Sequence, residues 1–185
     1  MRKSIMIDMD DVITMPTIVE AIEAFSGKKI DLTKLDGYYI QDVLSDEEKK
    51  EFFSNFGEMN LYESAIPFAG CVEAIKKLNE CYDIYFVTDF VWGEAVDASG
   101  VNAKNKYDFF RHFFSFINPK NIIMGGVKTI IHTDIKIDDR MCNLANADEK
   151  LLFSAYHNMD LSDEELKNEN VTRVNDWNEI LEVLL

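Results

Sequence analysis

Histidine, proline and cysteine are scarce in this 185-residue sequence, with three of each. Cys71, Cys81 and Cys142 have no Cys-x-x-Cys spacing, which argues against a disulfide framework or a cysteine zinc site and is typical of buried thiols in a reducing compartment. No apolar run approaches the roughly 20 residues of a membrane span. The apolar segment after Met1-Arg2-Lys3 stops at Asp8, too soon for a signal peptide. We therefore expect a soluble, cytoplasmic protein that does not bind membranes.

Basic residues are also few, with 19 Lys and Arg against 34 Asp and Glu, and the formal net charge is −15. Proteins that bind extended nucleic acid concentrate positive charge on one surface, so the balance argues against such a partner. An anionic ligand must instead meet a local cation or a metal. Hydrophobic residues make up 47% of the chain, which predicts one folded domain with a substantial core, alone or carrying a small insertion.

A short apolar run ends abruptly in acid near the start of the chain, in Ile5-Met6-Ile7-Asp8-Met9-Asp10. The apolar part is typical of a buried central strand. Asp8 and Asp10 are two residues apart, so on a strand both project to one side of its carboxyl end, where open α/β sheets bind ligands. Two carboxylates there can bind a hard cation or share catalytic work. A helix cap or a solvated turn is the alternative for an isolated Asp-x-Asp.

The segment 16–65 carries helical signals and no convincing strand. Pro16 and Gly27 bracket a helical spacing of Ile18, Ile22 and Phe25. The Ser-x-x-Glu spacing from Ser45 is that of a capping box, which predicts a second helix running through Phe52, Phe53 and Phe56.

Strand and helix patterns alternate after this segment. Strands are predicted at 83–87, 121–124, 134–137, 151–153 and 171–174, with helical spacing at 72–78, 109–114 and 177–184. The polar stretch 93–106, which contains Gly100, is predicted to be a loop. The whole pattern predicts a doubly wound parallel α/β core, 1–15 and 66–185, with a small helical cap, 16–65, inserted after the first strand.

Polar groups end three of the predicted strands, at Asp8 with Asp10, at Thr88, and at Asp138-Asp139, and Lys128 precedes the last pair by ten residues. Because parallel strands end at the same edge, these groups can converge on one crevice. Singly, Thr88 can end a strand, Lys128 can be solvated, and the acidic pair can cap a helix. Together they suit phosphoryl transfer, with a carboxylate nucleophile, an acid/base, and cations for the phosphoryl oxygens.

Asp8-x-Asp10-x-Val12, Thr88, Lys128 and Asp138-Asp139 resemble the four motifs of the haloacid dehalogenase (HAD) superfamily. Over nearly the whole chain the sequence is similar to the 5′(3′)-deoxyribonucleotidases, through the stretches 36–40, 67–70, 128–140 and 171–177. The resemblance implies a HAD-like, Rossmann-like core. It also implies a Mg²⁺-dependent phosphomonoesterase that dephosphorylates (deoxy)ribonucleoside monophosphates through an aspartyl-phosphate.

The same resemblance implies a role for each motif residue. Asp8 is expected to be the nucleophile and Asp10 the general acid/base. The expected magnesium site consists of Asp8, the backbone carbonyl of Asp10, and Asp139 as the direct acidic ligand, with Asp138 beside it. Thr88 and Lys128 are expected to bind the phosphate, and the base pocket is expected to include Tyr38, Tyr39, Ile40 and Phe56. The alternative for these four is the cap's own core, most of all for Phe56.

Three residues depart from the pattern of this family. Asp11 replaces a usual Gly, Asp89 replaces a usual Ser, and Pro16 replaces a usual aromatic residue, so one wall of the base pocket is expected to be absent. Two other readings stay open: a HAD phosphatase for another small phosphomonoester such as a sugar phosphate, and a non-catalytic module that binds a nucleotide or a partner. The oligomeric state is also open, a homodimer included.

Overall fold

The computed structural model describes residues 2–35 and 37–185. Within them, six strands form one parallel sheet in the order β3-β2-β1-β4-β5-β6. The strands are β1 (Ser4–Ile7), β2 (Asp83–Thr88), β3 (Ile122–Met124), β4 (Thr133–Asp138), β5 (Ala147–Phe153) and β6 (Thr172–Val174). This strand order, which reverses between β1 and β4, is that of a doubly wound α/β sheet, as the sequence predicted.

Three of the helices lie between β1 and β2, and the first two of them belong to the segment inserted after the first strand. The helices are α1 (Ile18–Ser26), α2 (Asp46–Ser54), α3 (Cys71–Cys81), α4 (Ser99–Phe113), α5 (Asp163–Asn168) and α6 (Trp177–Leu184). Gly27 ends α1 with a φ of 68°, and Ser45 and Glu48 form the predicted capping box of α2. Over the described residues, no helix is both long and apolar enough to span a bilayer.

Apolar side chains cover both faces of the sheet. Ile5, Met6 and Ile7 of β1 are all fully buried, as expected for a central strand. On β5, Leu151 belongs to the main core, whereas Leu152 packs in a smaller cluster with Leu144, Leu166 and Val171. Successive side chains of a strand point to opposite faces, so the two clusters lie on opposite sides of β5.

The chain leaves the sheet after β1 and returns to the same place before α3. Thr14 forms isolated bridges with Asp10 and with Pro67, and the amide of Phe68 donates to the carbonyl of Ile13 at 2.7 Å. The ends of the 16–65 segment are therefore held side by side. Its division from 1–15 and 66–185 as a separate cap domain stays a prediction.

The predicted loop at 93–106 was wrong. A 3₁₀ segment spans Gly93–Ala98, and α4 begins at Ser99. The buried face of α4 begins with Ser99, Asn102 and Lys106 before Phe109 and Phe110. A search for apolar periodicity misses such a helix because the first half of its buried face is polar.

Two smaller features also differ from the sequence-based expectation. Only Cys71 is a buried thiol, whereas Cys81 at the end of α3 and Cys142 in a surface turn are exposed; all three are free. Helix α5 was not predicted, although Ser162 and Glu165 form a capping box at its start. Its six residues are too few for helical periodicity to be evident.

Candidate active site

Charged side chains from separate parts of the chain meet at the carboxyl edge of the sheet. Asp8 follows β1, Asp138 ends β4, and Lys128 lies in the connection between β3 and β4. The Lys128 Nζ is 2.6 Å from Asp8 Oδ1 and 2.9 Å from Asp138 Oδ2, and all three side chains are buried. The predicted convergence of these residues is therefore present in the structure.

Lys128 is held both by its charge and by its backbone. Burial lowers the pKa of its ammonium, but Asp8 and Asp138 outweigh that effect and raise the pKa above its ordinary value. Its carbonyl accepts a hydrogen bond at 3.0 Å from the fully buried Nζ of Lys136, which also donates to the carbonyls of Asn143 and Ala145. Lys136 thus connects two segments: the turn that contains Lys128 and the loop that follows β4.

Hydrogen bonds fix the acidic pair after β4. The other carboxylate oxygen of Asp138, Oδ1, accepts a hydrogen bond from the backbone amide of Arg140 at 3.0 Å and one from the side-chain amide of Asn143 at 2.9 Å. The Asp139 Oδ2 lies 2.7 Å from Nε2 of His157, and the Asp139 carbonyl accepts from Asn158 at 2.8 Å. Both carboxylates are therefore held in place before any ligand arrives.

One group of carboxylates has the composition of a divalent-metal site. Single oxygens of Asp8, Asp138 and Asp139 all lie within 4.8 Å of one another. Burial raises the pKa of Asp8 to about 6, partly offset by Lys128, and burial together with Asp138 raises the pKa of Asp139 well above its ordinary range. A cation bound between these oxygens would favour their charged forms, and oxygen-only donors suit a hard divalent ion.

Asp10 is held between two residues that sequence reasoning missed. Its Oδ1 accepts the hydroxyl of Tyr62 at 2.6 Å, and its Oδ2 contacts the Nζ of Lys106 at 2.5 Å. The same Nζ donates to Thr88 Oγ1 at 2.8 Å and to the carbonyl of Asp89. Lys106 thereby links the loop after β1 to the end of β2. The sequence signal for Lys106 was its spacing from Asn102 and Phe109, which places all three on one face of a helix.

A cavity of about 460 Å³ opens beside these residues. Tyr38, Tyr39 and Ile40 from the inserted segment line it, together with Trp92, which the sequence analysis did not identify, and their role in binding a base stays a prediction. Phe56 is only 3% exposed and packs behind the cavity wall, with its ring centroid 5.4 Å from that of Trp92. The structure therefore places Phe56 in the core of the inserted segment, while Asp36, at the start of the 36–40 stretch, lies outside the described residues.

Tyr38 lies between the cavity and the acidic edge of the sheet. Its ring lies 4.8 Å from the ring of His157, and the guanidinium of Arg140 lies 4.5 Å above it. The hydroxyl of Tyr156 donates to the Tyr38 carbonyl. Tyr38 is thus ordered by contacts from the core, whereas Tyr39 is 58% exposed.

The structure accounts for two of the unusual residues. Pro16 lines the cavity, and Trp92 supplies an aromatic side chain to the same cavity. Asp89 is exposed, and its Oδ1 accepts the amides of Phe90 at 2.7 Å and Val91 at 3.0 Å. A Cβ at Gly126 would lie 2.5 Å from Asp89 Oδ2, so a side chain there would force this carboxylate to move from its present position.

The third unusual residue, Asp11, has a backbone conformation that suits glycine. Its φ is 59°, in the left-handed region where side chains other than those of Asn and Asp are uncommon. Only 9% of Asp11 is exposed. Burial, with smaller contributions from Asp10 and Asp8, raises the pKa of its carboxyl to about 8.

Comparison with known proteins places the chain in a family. Residues 2–185 match the profile described as "5' nucleotidase, deoxy (Pyrimidine), cytosolic type C protein" (NT5C). A 5′(3′)-deoxyribonucleotidase of Bacillus subtilis is 29% identical over 194 residues, covering all of both chains.

Solved structures agree on the fold. A protein from Clostridium difficile, provisionally described as a phosphatase, has a TM-score of 0.59 at 17% identity and covers 100% of this chain and 99% of its own. A haloacid dehalogenase-like hydrolase from Streptococcus pneumoniae has a TM-score of 0.53 at 15% identity, with the same coverage. The chain therefore has the fold of a haloacid dehalogenase-like hydrolase and belongs to the NT5C family of 5′(3′)-deoxyribonucleotidases, hydrolases that act on nucleotides.

Proposed function

We propose that this protein removes the phosphate from (deoxy)ribonucleoside monophosphates through an aspartyl-phosphate on Asp8. The observation that carries the proposal is the contact of Lys128 with Asp8 and Asp138 at the carboxyl edge of the sheet. Asp8 is two residues along the chain from Asp10, which lines the cavity that contains Tyr38. A buried nucleophile and a cation therefore lie near a space that a nucleoside can enter.

The proposed reaction has two displacements at phosphorus. An Asp8 carboxylate oxygen forms a bond to phosphorus as the bond to the nucleoside oxygen breaks, and Asp10 gives that oxygen a proton. In the second step Asp10 takes a proton from water, the water oxygen bonds to phosphorus, and the Asp8–phosphorus bond breaks. Tyr62 and Lys106 hold the Asp10 carboxylate in place.

Cations would balance the charge of the phosphate. Lys128 and the Thr88 hydroxyl are proposed to bind the phosphoryl oxygens. Mg²⁺, held by Asp8, Asp139 and the carbonyl of Asp10, with Asp138 beside it, would neutralise phosphoryl oxygens that three carboxylates would otherwise repel. The cluster of carboxylate oxygens supports this ligand set.

The inserted segment is proposed to act as a cap that selects the substrate. Tyr38, Tyr39 and Ile40 would pack on the base from one side and Trp92 from another, in the cavity of about 460 Å³. Aromatic rings give stacking energy to every base, so this surface favours a nucleotide over a sugar phosphate. The family description names a cytosolic protein, which supports the expected cytoplasmic location.

A phosphate-release panel tests the function. The purified protein is given deoxyribonucleoside monophosphates, ribonucleoside monophosphates and sugar phosphates, each with Mg²⁺ and with excess chelator. We expect turnover of nucleotides that requires Mg²⁺ and exceeds turnover of sugar phosphates. Preference for a sugar phosphate would replace the proposed substrate class. No release from any compound, with folded protein and Mg²⁺ present, would leave only a binding function.

A further inference from the structure

The side chain of Asp11 is nine-tenths buried and lines the cavity, where no described residue pairs with its carboxylate. Among residues 2–35 and 37–185 it forms neither a hydrogen bond nor an ion pair, although only 9% of the residue is exposed. An unpaired buried carboxylate is unfavourable, so this group needs a proton or a cation.

Two other metal-binding groups face Asp11. One oxygen of Asp11, one oxygen of Asp139 and one ring nitrogen of His157 all lie within 4.8 Å of one another. His157 Nε2 and Asp139 Oδ2 are 2.7 Å apart. Two neighbouring ligands of one ion, each about 2.1 Å from it, are separated by roughly 3 Å, so this pair needs little movement to bind the same ion.

This cluster differs chemically from the one that contains Asp8. The two groups share only Asp139, and the new one alone includes an imidazole. Oxygen-only donors suit Mg²⁺, whereas imidazole favours first-row transition metals. A carboxylate common to two clusters can bridge two ions about 3.5–4 Å apart.

We propose that Asp11, Asp139 and His157 form a second divalent-cation site, selective for a transition metal over Mg²⁺. The site goes beyond the proposed phosphatase function, with which it shares Asp139. It also gives the aspartate at a position with φ of 59° a function that glycine could not supply. The competing explanation is that Asp11 is a neutral acid and that His157 only hydrogen-bonds to Asp139.

Cobalt binding to metal-free protein tests the site. Co²⁺ alone is the probe, its stoichiometry is measured by equilibrium dialysis, and its visible spectrum reports a nitrogen ligand. We expect two equivalents per wild-type chain, and one equivalent in Asp11→Gly, whose backbone suits glycine. His157→Gln should also bind one and lose the spectral signature of nitrogen. Removing a ligand should weaken the binding of the second Co²⁺ by about 10- to 100-fold or more.

Asp89→Asn is the matched control, since it removes a carboxylate that lines the cavity but lies outside the cluster. It should bind two equivalents. One equivalent in the wild type, two in Asp11→Gly, or loss in Asp89→Asn as large as in Asp11→Gly would each overturn the proposal. Thermal unfolding of every variant verifies its fold.

Phosphate release with Mg²⁺ alone is measured in parallel and separates this proposal from the proposed function. Absence of turnover with intact second-ion binding would refute the phosphatase and keep the site. Turnover by a protein that binds only one Co²⁺ per chain would refute the second site and keep the phosphatase.

Discussion

Replacing Lys106 by methionine removes the ammonium that joins Asp10 to Thr88 while keeping an unbranched apolar stem. The Lys106 side chain is 3% exposed, and its Nζ contacts Asp10, Thr88 and the Asp89 carbonyl. If the contact with Asp10 orients the proposed acid, Lys106→Met should slow departure of the nucleoside oxygen. The protein should remain folded, with unchanged secondary structure by circular dichroism.

The expected loss follows from that contact. A hydrogen bond to a charged group contributes about 1.5–3 kcal/mol. Since about 1.36 kcal/mol is a factor of ten in rate, kcat/KM for a deoxynucleotide should fall by about 10- to 150-fold. The Asp10 side chain is 35% exposed, so screening by solvent favours the lower part of this range.

The assay compares two leaving groups. The ratio kcat/KM covers the steps through the first irreversible one, here departure of the leaving group. p-Nitrophenolate needs little protonation, so the loss with p-nitrophenyl phosphate should be several-fold smaller than with the nucleotide. Lys104→Met is the matched control, because Lys104 is on the same helix, exposed, and paired with Asp108 alone among the residues that the structure describes. Equal losses on both substrates would assign Lys106 to phosphate binding through Thr88, and no loss would refute the reasoning.

Three further outcomes are expected. Asp8→Asn should lose turnover by several orders of magnitude while keeping the fold, as measured by phosphate release and circular dichroism; substantial residual turnover would remove Asp8 from the nucleophile role. Replacing Tyr38 or Tyr39 by Ala should reduce nucleotide turnover by about 10- to 100-fold and affect p-nitrophenyl phosphate less, since stacking contributes about 1–3 kcal/mol per base; equal losses would make these residues structural. Phe56→Ala should instead lower the free energy of unfolding by about 3–5 kcal/mol in urea titrations, and a variant of normal stability would contradict its place in the core.

The sheet and its acidic edge were predictable because their signals are local. Ile5 to Ile7 form a continuous apolar run, and burial on both faces is what such a run indicates. The parallel arrangement then brings Asp8 and Asp138 to one edge without knowledge of any side-chain contact. The capping box at Ser45 is similarly contained within four residues.

The residues that were missed act over long distances in sequence. Lys106 contacts Asp10 across 96 positions, and Tyr62 reaches it across 52. Only its helical spacing with Asn102 and Phe109 distinguishes Lys106 from the exposed Lys104, and that spacing is informative only once the helix is known. Lys136 shows the same limit, since a lysine in a buried strand contradicts the apolar pattern and is explained only by the three carbonyls that accept from it.

The contact between Asp89 and Gly126 restricts the order in which these two positions can evolve. With Asp89 in place, a side chain at Gly126 would overlap its carboxylate, since a Cβ would be 2.5 Å from Oδ2. If Asp89 changes first to a smaller residue such as serine, its carboxylate is gone and a side chain at position 126 no longer meets it. The reverse order passes through a clashing intermediate. A substitution at position 126 should therefore cost less stability in sequences that have already replaced Asp89, because no carboxylate then loses its contacts with the amides of Phe90 and Val91.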